Sequence, residues 1–439
     1  MMSKDDTKEL DRTIPPAIQP TTFTFRKPVD RVLRNGTPLH VIDAAGLGAV
    51  RIDFVFDAGQ FHQARKLQAL FACRLLREGC RGYSAAQFAE RLDYYGAWLD
   101  LSVATNRTFV TLYTLKKHFA STLELVQRMI TEPAYDEGQF SIVRANNKAQ
   151  LMVSLQKGDV LAMRALRAAI YGEAHPCGMN ATPEDYDTLQ VTDAIDYYRR
   201  YYGSRSCSIY LSGDVDDAIL SLVEEHFGNA EWGNAELDKL QLANDDWRLT
   251  DRRVPNTEFV TLKGAVQDSI RLGGLMMDVT DADYLPMRVL TTVLGGYFGS
   301  RLMKNVREEK GYTYHIGADL ITNTPQVMFL VHCEGQEGKS SEIIAEVQRE
   351  MQRLQCEPIS DAELSMVRNY MTGEICRNYE SAFSLADAYI FVDHLGLPLT
   401  HMEETLDVIS TVDSARIQQL AQRYLHPEQL HTVVVGAVQ

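Results

Sequence analysis

The sequence contains no run of eighteen apolar residues, and no apolar segment follows its start, Met1-Met2-Ser3-Lys4-Asp5-Asp6. Neither a membrane span nor a secretory signal is therefore expected, and a cytoplasmic location is. Cysteine is sparse: the seven residues at 73, 80, 177, 207, 333, 356 and 376 are odd in number, scattered, and without a Cys-x-x-Cys pair. This argues against a disulfide framework or a zinc knuckle and for reduced, mostly buried thiols. Positive charge is in deficit, with 44 Lys and Arg against 59 Asp and Glu and a net charge of -15. Such a surface repels nucleic-acid phosphates and anionic membranes alike. The glycines build no phosphate loop, because Gly295, Gly296 and Gly299 lack the Lys-Ser/Thr ending and the preceding buried strand.

What is present is a chain of 439 residues, 45% apolar, enough for two to four domains with substantial cores. It repeats itself. Ser84 to Thr111 runs through a helical pattern (Phe88, Leu92), Gly96, an alternating segment and Thr105-Asn106. From Ser300 the chain runs through Leu302, Val306, Gly311, an alternating segment and Thr322-Asn323, at an offset close to 216. Further on, Glu132-Pro133 and the stretch Phe140 to Arg144 match Glu357-Pro358 and Leu364 to Arg368, with the offset drifting to 224. Each half closes alike, with a helix carrying Tyr197, Tyr198 and Tyr201, or Ile417, Leu420 and Tyr424, before an apolar strand at Ser208–Leu211 or Thr432–Val435. The expected organisation is an N-terminal unit over 22–228, an exposed linker over 229–256 rich in Asn, Asp, Glu and Trp, and a C-terminal unit over 257–439.

Within a half, Arg31–Val41 and Gly48–Asp57 read as a β-pair around the Asn35-Gly36 turn signal, while Lys66–Leu76 and Ala85–Tyr94 carry apolar residues at helical spacing. The predicted fold class is α+β, with helices packed on one face of a mostly antiparallel sheet in each half.

The second half carries a specific signature, Leu294-Gly295-Gly296-Tyr297-Phe298-Gly299-Ser300-Arg301-Leu302 running into Asn305-Val306-Arg307-Glu308-Glu309-Lys310-Gly311-Tyr312-Thr313-Tyr314. It resembles the C-terminal domain of the M16 zinc peptidases, the pitrilysin and mitochondrial processing peptidase family. Lys263-Gly264-Ala265-Val266-Gln267 and Gly273-Gly274 resemble the strand before it, and the resemblance extends over essentially the whole chain. It implies two duplicated halves that close as a clam shell.

The family binds zinc through His-x-x-Glu-His on a helix of the first half, plus a distal Glu. Two imidazoles one turn apart grip the ion, and the carboxylate between them serves as general base. Here the corresponding stretch is Leu70-Phe71-Ala72-Cys73-Arg74, and the counterpart of the distal Glu is Gln150. Leu70, Cys73, Arg74 and Gln150 thus form a degenerate zinc site with no metal expected, and Arg74 adds a fixed positive charge hostile to a dication. A packing helix is the favoured reading; an unusual site drawing on Cys73, Cys80 or His62 is the alternative.

Active members also supply an Arg and a Tyr, seven residues apart, from the second half toward the substrate. Arg307 and Tyr314 stand at that separation. An arginine offers planar donors to a peptide carbonyl, and a tyrosine hydroxyl can donate to a developing oxyanion. The plain alternative makes Arg307 an ion-pair partner of Glu308 or Glu309 and Tyr314 a strand residue at a wet edge. The resemblance implies a non-catalytic, substrate-handling subunit whose homologous partner carries the intact motif and the zinc. A peptide-binding or structural homologue without such a partner, and a homodimer, are further possibilities. The strand Ala97–Ala104 corresponds to the peptide-pairing edge of active relatives, with Leu99-Asp100 replacing the usual Asn-Ala. Trp98 alternating with Asp100 also fits a half-buried strand. An acidic chamber would attract basic, extended peptides.

Overall fold

The computed structural model describes residues 25–233, 248–249 and 253–437. The first half contributes β1 (Val29–Val32), β2 (Pro38–Asp43), β3 (Ala49–Phe56), a short pair β4 (Gly79–Cys80) and β5 (Tyr83–Ser84), β6 (Trp98–Val103), β7 (Thr108–Leu115) and β8 (Cys207–Gly213). The second contributes β9 (Thr257–Thr261), β10 (Gln267–Asp278), β11 (Thr313–Ile321), β12 (Gln326–Gln336) and β13 (His431–Gly436). The sheets run β1-β2-β8-β3-β7-β6 and β9-β13-β10-β12-β11. Apart from the extra β1 they have the same order, and among the described residues each has one parallel pair, β2 with the closing strand β8 and β9 with the closing strand β13. The fold is α+β, with helices layered on antiparallel-rich sheets.

Local chemistry accounts for the elements. Ser84 caps the helix Ala85–Tyr95 in a reciprocal box with Gln87, and Gly96 ends it at φ 61°. Gly36, at φ 90°, closes the turn between β1 and β2, where the Asn35 side chain accepts from the Thr37 amide at 3.1 Å. The Asn35-Gly36 turn therefore joins β1 to β2 and does not bring the Gly48–Asp57 segment alongside. Strand β8 is inserted between β2 and β3, pairing parallel with one and antiparallel with the other. A strand arriving from 160 residues downstream leaves no periodic trace in the local sequence.

The expectation of helices on one face holds for the outer faces and needs an addition on the inner ones. Helix Gly158–Tyr171 of the first half lies on β10 and β13 of the second sheet, where Leu166 and Ile170 pack against Leu330, Val433 and Val435. Its counterpart 224 residues on, Ala382–His394, lies on β8 and β2 of the first sheet, over Ile42, Val55 and Tyr210. Each half thus lends one helix to the other's sheet. Burying apolar inner-face side chains under these helices ties the halves together.

The ends of the expected linker are not free. Trp232 packs on Phe227 and Phe56, and Asn256 is bonded to His431 at 2.7 Å. Most of 229–256 lies outside the described residues. Among the described residues no helix is long and apolar enough to cross a membrane.

Candidate functional site

The degenerate zinc positions begin with helix Gln68–Arg74, which presents its apolar side to the core beneath the first sheet. Leu70 is half-buried against that core, Cys73 fully buried, Arg74 partly exposed, and Gln150 exposed on helix Glu137–Ser154. Burial pushes the Cys73 thiol up to about 12, so it is protonated at neutral pH. An aliphatic side chain, a buried thiol, a guanidinium and an exposed amide do not fit Zn²⁺. Nor does the alternative set assemble: Cys80 sits on β4 beyond the end of the helix, His62 lies 5.5 Å from the Tyr201 ring centroid, and no group of three His, Cys, Asp or Glu among the described residues could hold a metal.

Phenols occupy the surroundings instead. The hydroxyls of Tyr135, Tyr197, Tyr198 and Tyr201 donate to the carbonyls of Ala72, Gly59, Ile130 and His62 at 2.7–3.0 Å. These bonds give carbonyls in and around the helix neutral donors, and burial holds the Tyr135 and Tyr197 phenols protonated well above their usual range.

Arg307 and Tyr314 lie on the second half. Arg307 sits in the π-helical turn Met303–Glu309, which packs beside β11, and its guanidinium lies 4.4 Å from the ring centroid of Phe298. Among the described residues no ion pair with Glu308 or Glu309, the plain alternative for this arginine, accompanies this cation–π contact. Tyr314 is the second residue of β11, the edge strand of its sheet, and is 85% exposed. Among the described residues no hydrogen bond or ion pair joins this pair to Leu70, Cys73, Arg74 or Gln150. The glycine group before them has a packing reason. A Cβ on Gly295 would stand 2.5 Å from the Ala318 amide, so the π-helical turn Thr292–Gly296 can lie directly on β11 only with hydrogen there.

The first sheet repeats the arrangement: β6 is its edge, and it starts with the exposed aromatic Trp98. On β6, Trp98, Asp100 and Ser102 alternate with core-facing Leu99 and Leu101, the period of a strand with one covered face. Their side of the sheet borders a cavity of about 490 Å³ between the halves, closed from the second half by helix Ala382–His394 and by Thr322 and Asn323. At its floor lies a charged group not singled out from sequence. Arg51 gives Nε and Nη2 to Asp53 Oδ1 at 3.0 and 2.8 Å, Nη2 also to Asp387 at 2.5 Å, and Nη1 to the Phe383 carbonyl at 3.1 Å. Thr111 adds a hydroxyl donor to the same Asp53 oxygen. Burial raises the Asp53 carboxyl, with Arg51 and Thr111 pulling the other way, while its two acidic partners hold Arg51 firmly charged. The signal was Val50-Arg51-Ile52-Asp53-Phe54, two opposite charges at the same parity inside an apolar strand.

The chain is similar to several known proteins. Residues 188–371 match the family model described as Peptidase M16 inactive domain. The chain is 21% identical over 395 residues to "Uncharacterized zinc protease YmxG" of Bacillus subtilis, covering 89% of this chain and 94% of that protein. It is likewise 21% identical to "Non-peptidase homolog YmxG" of Helicobacter pylori, over 84% of each. A shorter match, 20% over 186 residues, covers 42% of this chain and 28% of mitochondrial-processing peptidase subunit alpha-1 of Dictyostelium discoideum. The crystal structure of a peptidase M16 inactive domain from Pseudomonas fluorescens superposes with a TM-score of 0.82 at 18% identity, covering 94% of this chain and 98% of that one.

Proposed function

We propose that this chain, an M16 homologue without the zinc-binding motif, is the non-catalytic, substrate-handling subunit of a two-subunit zinc endopeptidase. The observation that carries the proposal is the contrast between the two sets of positions. Every zinc-ligand position holds a residue unfit for the metal, whereas Tyr314 stands 85% exposed on β11 of the other half, the strand against which the turn carrying Arg307 packs. Zinc would then belong to a homologous partner with an intact His-x-x-Glu-His, and Arg307 and Tyr314 would reach the peptide held there. An arginine donor to a substrate carbonyl and a phenol near the oxyanion would act chiefly on the transition state. Free thiols among the described residues accord with work in the cytoplasm. The test mixes the purified chain with a homologue that carries the motif and follows peptide hydrolysis. Arg307→Ala and Tyr314→Phe should each lower kcat of the mixture about 10–1000-fold. Full cleavage by the homologue alone, with both variants silent in the mixture, would overturn the proposal.

A second reading is favoured by the name of the Helicobacter relative, a non-peptidase homologue. In it the chain binds peptides or supports an assembly with no peptidase partner. Retention of peptide by the chain alone, with no homologue co-purifying from its own cells, distinguishes this reading from the first.

A further inference from the structure

The turn Tyr297–Ser300 lies between the two π-helical segments of the second half, Thr292–Gly296 and Met303–Glu309, and is clamped from both ends. The Ser300 amide donates to the Tyr297 carbonyl at 3.0 Å, which closes the turn with Phe298 and Gly299 at its centre. The Tyr297 ring folds back over Gly299, where a Cβ would stand 2.7 Å from it. That ring also lies 5.1 Å from the Tyr370 ring centroid, and its hydroxyl donates to the Met366 sulfur at 3.7 Å. Arg301, one residue past the turn, grips the Glu363 carboxylate with two bonds of 2.9 and 3.0 Å. Glu363, Met366 and Tyr370 recur at helical spacing on Asp361–Asn378, so one face of that helix fixes both ends of the turn.

Phe298 stands at the tip of this turn, 63% exposed, and its ring meets the guanidinium of Arg307 at 4.4 Å. Arg307 is fixed at its base and loose at its end. Met303 and Val306 anchor its segment in the core, and the Asn305 side-chain amide donates to Glu346 and Glu350 at 3.0 and 2.7 Å. The Arg307 side chain makes no hydrogen bond or ion pair among the described residues, so the Phe298 ring is what restrains it there. The kind of restraint matters. An ion pair with a neighbouring glutamate would use up planar N–H donors, whereas a ring takes only the face of the guanidinium and leaves the donors at its rim free for a carbonyl. At the repeat offset of 216, Phe298 and Arg307 correspond to Gly82 and Arg91, so the first half repeats the arginine without the ring.

We propose that Phe298 is a positioning residue for Arg307: held at the tip of the clamped turn, its ring keeps the guanidinium oriented, with its donors free, before a peptide arrives. This rests on the reading of Arg307 as a donor to the substrate. Ordering a long side chain in advance removes that cost from the step that uses the donor, so the gain falls on turnover.

The first arm of the test needs no partner. In the full chain with ¹⁵N-labelled arginine, the Nε–H proton of Arg307, assigned by its loss in Arg307→Lys, should be shifted upfield by the ring beneath it, and Phe298→Leu should abolish that shift. The second arm follows peptide hydrolysis by the chain mixed with a homologue that carries the motif. Phe298→Leu should lower kcat about 2–30-fold, the range of a cation–π contact, with KM moved by less than about twofold. Phe298→Trp, which keeps an aromatic face, should restore kcat, and Phe298→Leu should add nothing in an Arg307→Ala background. The proposal is overturned if the Arg307 proton is unshifted or keeps its shift in Phe298→Leu. It is equally overturned if Arg307→Ala lowers kcat and Phe298→Leu does not, or if the two losses multiply. A silent Arg307→Ala sinks the peptidase reading instead, and the first arm by itself then decides whether Phe298 positions the guanidinium.

Discussion

His394 shows how burial, aided by the nearby charge of Arg107, sets a charge state. Its folded pKa of about 4 lies below the ordinary 6.5, so the unfolded chain takes up a proton first as pH falls. The stabilisation is complete above pH 6.5 and is lost as pH falls through 6.5 to about 4, on the order of 3 kcal/mol from this group. His394→Gln should flatten the fall in the urea midpoint over that window while leaving the same slope above it; an identical pH profile would refute this. Arg51 belongs to the same scale. Arg51→Ala leaves Asp53 buried without its cation and should cost about 3–5 kcal/mol by denaturant titration. Asp387→Ala, which removes a partner whose side chain is 63% exposed, should cost no more than about 1 kcal/mol. The residue types at Leu70, Cys73, Arg74 and Gln150 were legible at this scale, because they are facts of the sequence. The cavity acids were not, since nothing local distinguishes a buried Asp53 from any other strand aspartate.

Among elements, the exchanged helices carry the connection between the halves. Leu166 is fully buried between helix Gly158–Tyr171 and the second sheet, and the close fit shows at Gly273, where a Cβ would lie 2.8 Å from the Phe329 carbonyl and 3.1 Å from Leu166. Leu166→Ala should therefore destabilise by about 2–5 kcal/mol. Because the helix belongs to one half and its cover to the other, hydrogen exchange in β10 and β13 should quicken together with exchange in the helix. Quickening confined to the helix would mean that the second sheet is stable without it. Periodicity and turn chemistry announced the helices Gln68–Arg74 and Ala85–Tyr95 and the turn at Gly36. They could not announce that β8 lies between β2 and β3, or that a helix crosses to the other sheet, because both depend on contacts between residues far apart in sequence.

At the scale of the whole molecule, metal binding is the first quantity to measure. Elemental analysis of the purified chain should find far less than one zinc per chain, and a chelator should leave its thermal midpoint unmoved; a stoichiometric metal or a midpoint lowered by chelation would contradict the reading of the degenerate site. The net charge of -15 acquires a location in part, as three of the acids line the cavity between the halves. The sequence by itself showed the internal repeat, the α+β class, the M16 resemblance and the absence of a His-x-x-Glu-His motif, because these are matters of residue type, period and spacing. Only the tertiary structure decided that each half covers the other's sheet and that Arg51, Asp53, Asp100, Asp387 and Trp98 border one cavity. Those residues come from β3, β6 and a helix more than 280 positions away, and chain folding alone brings them together.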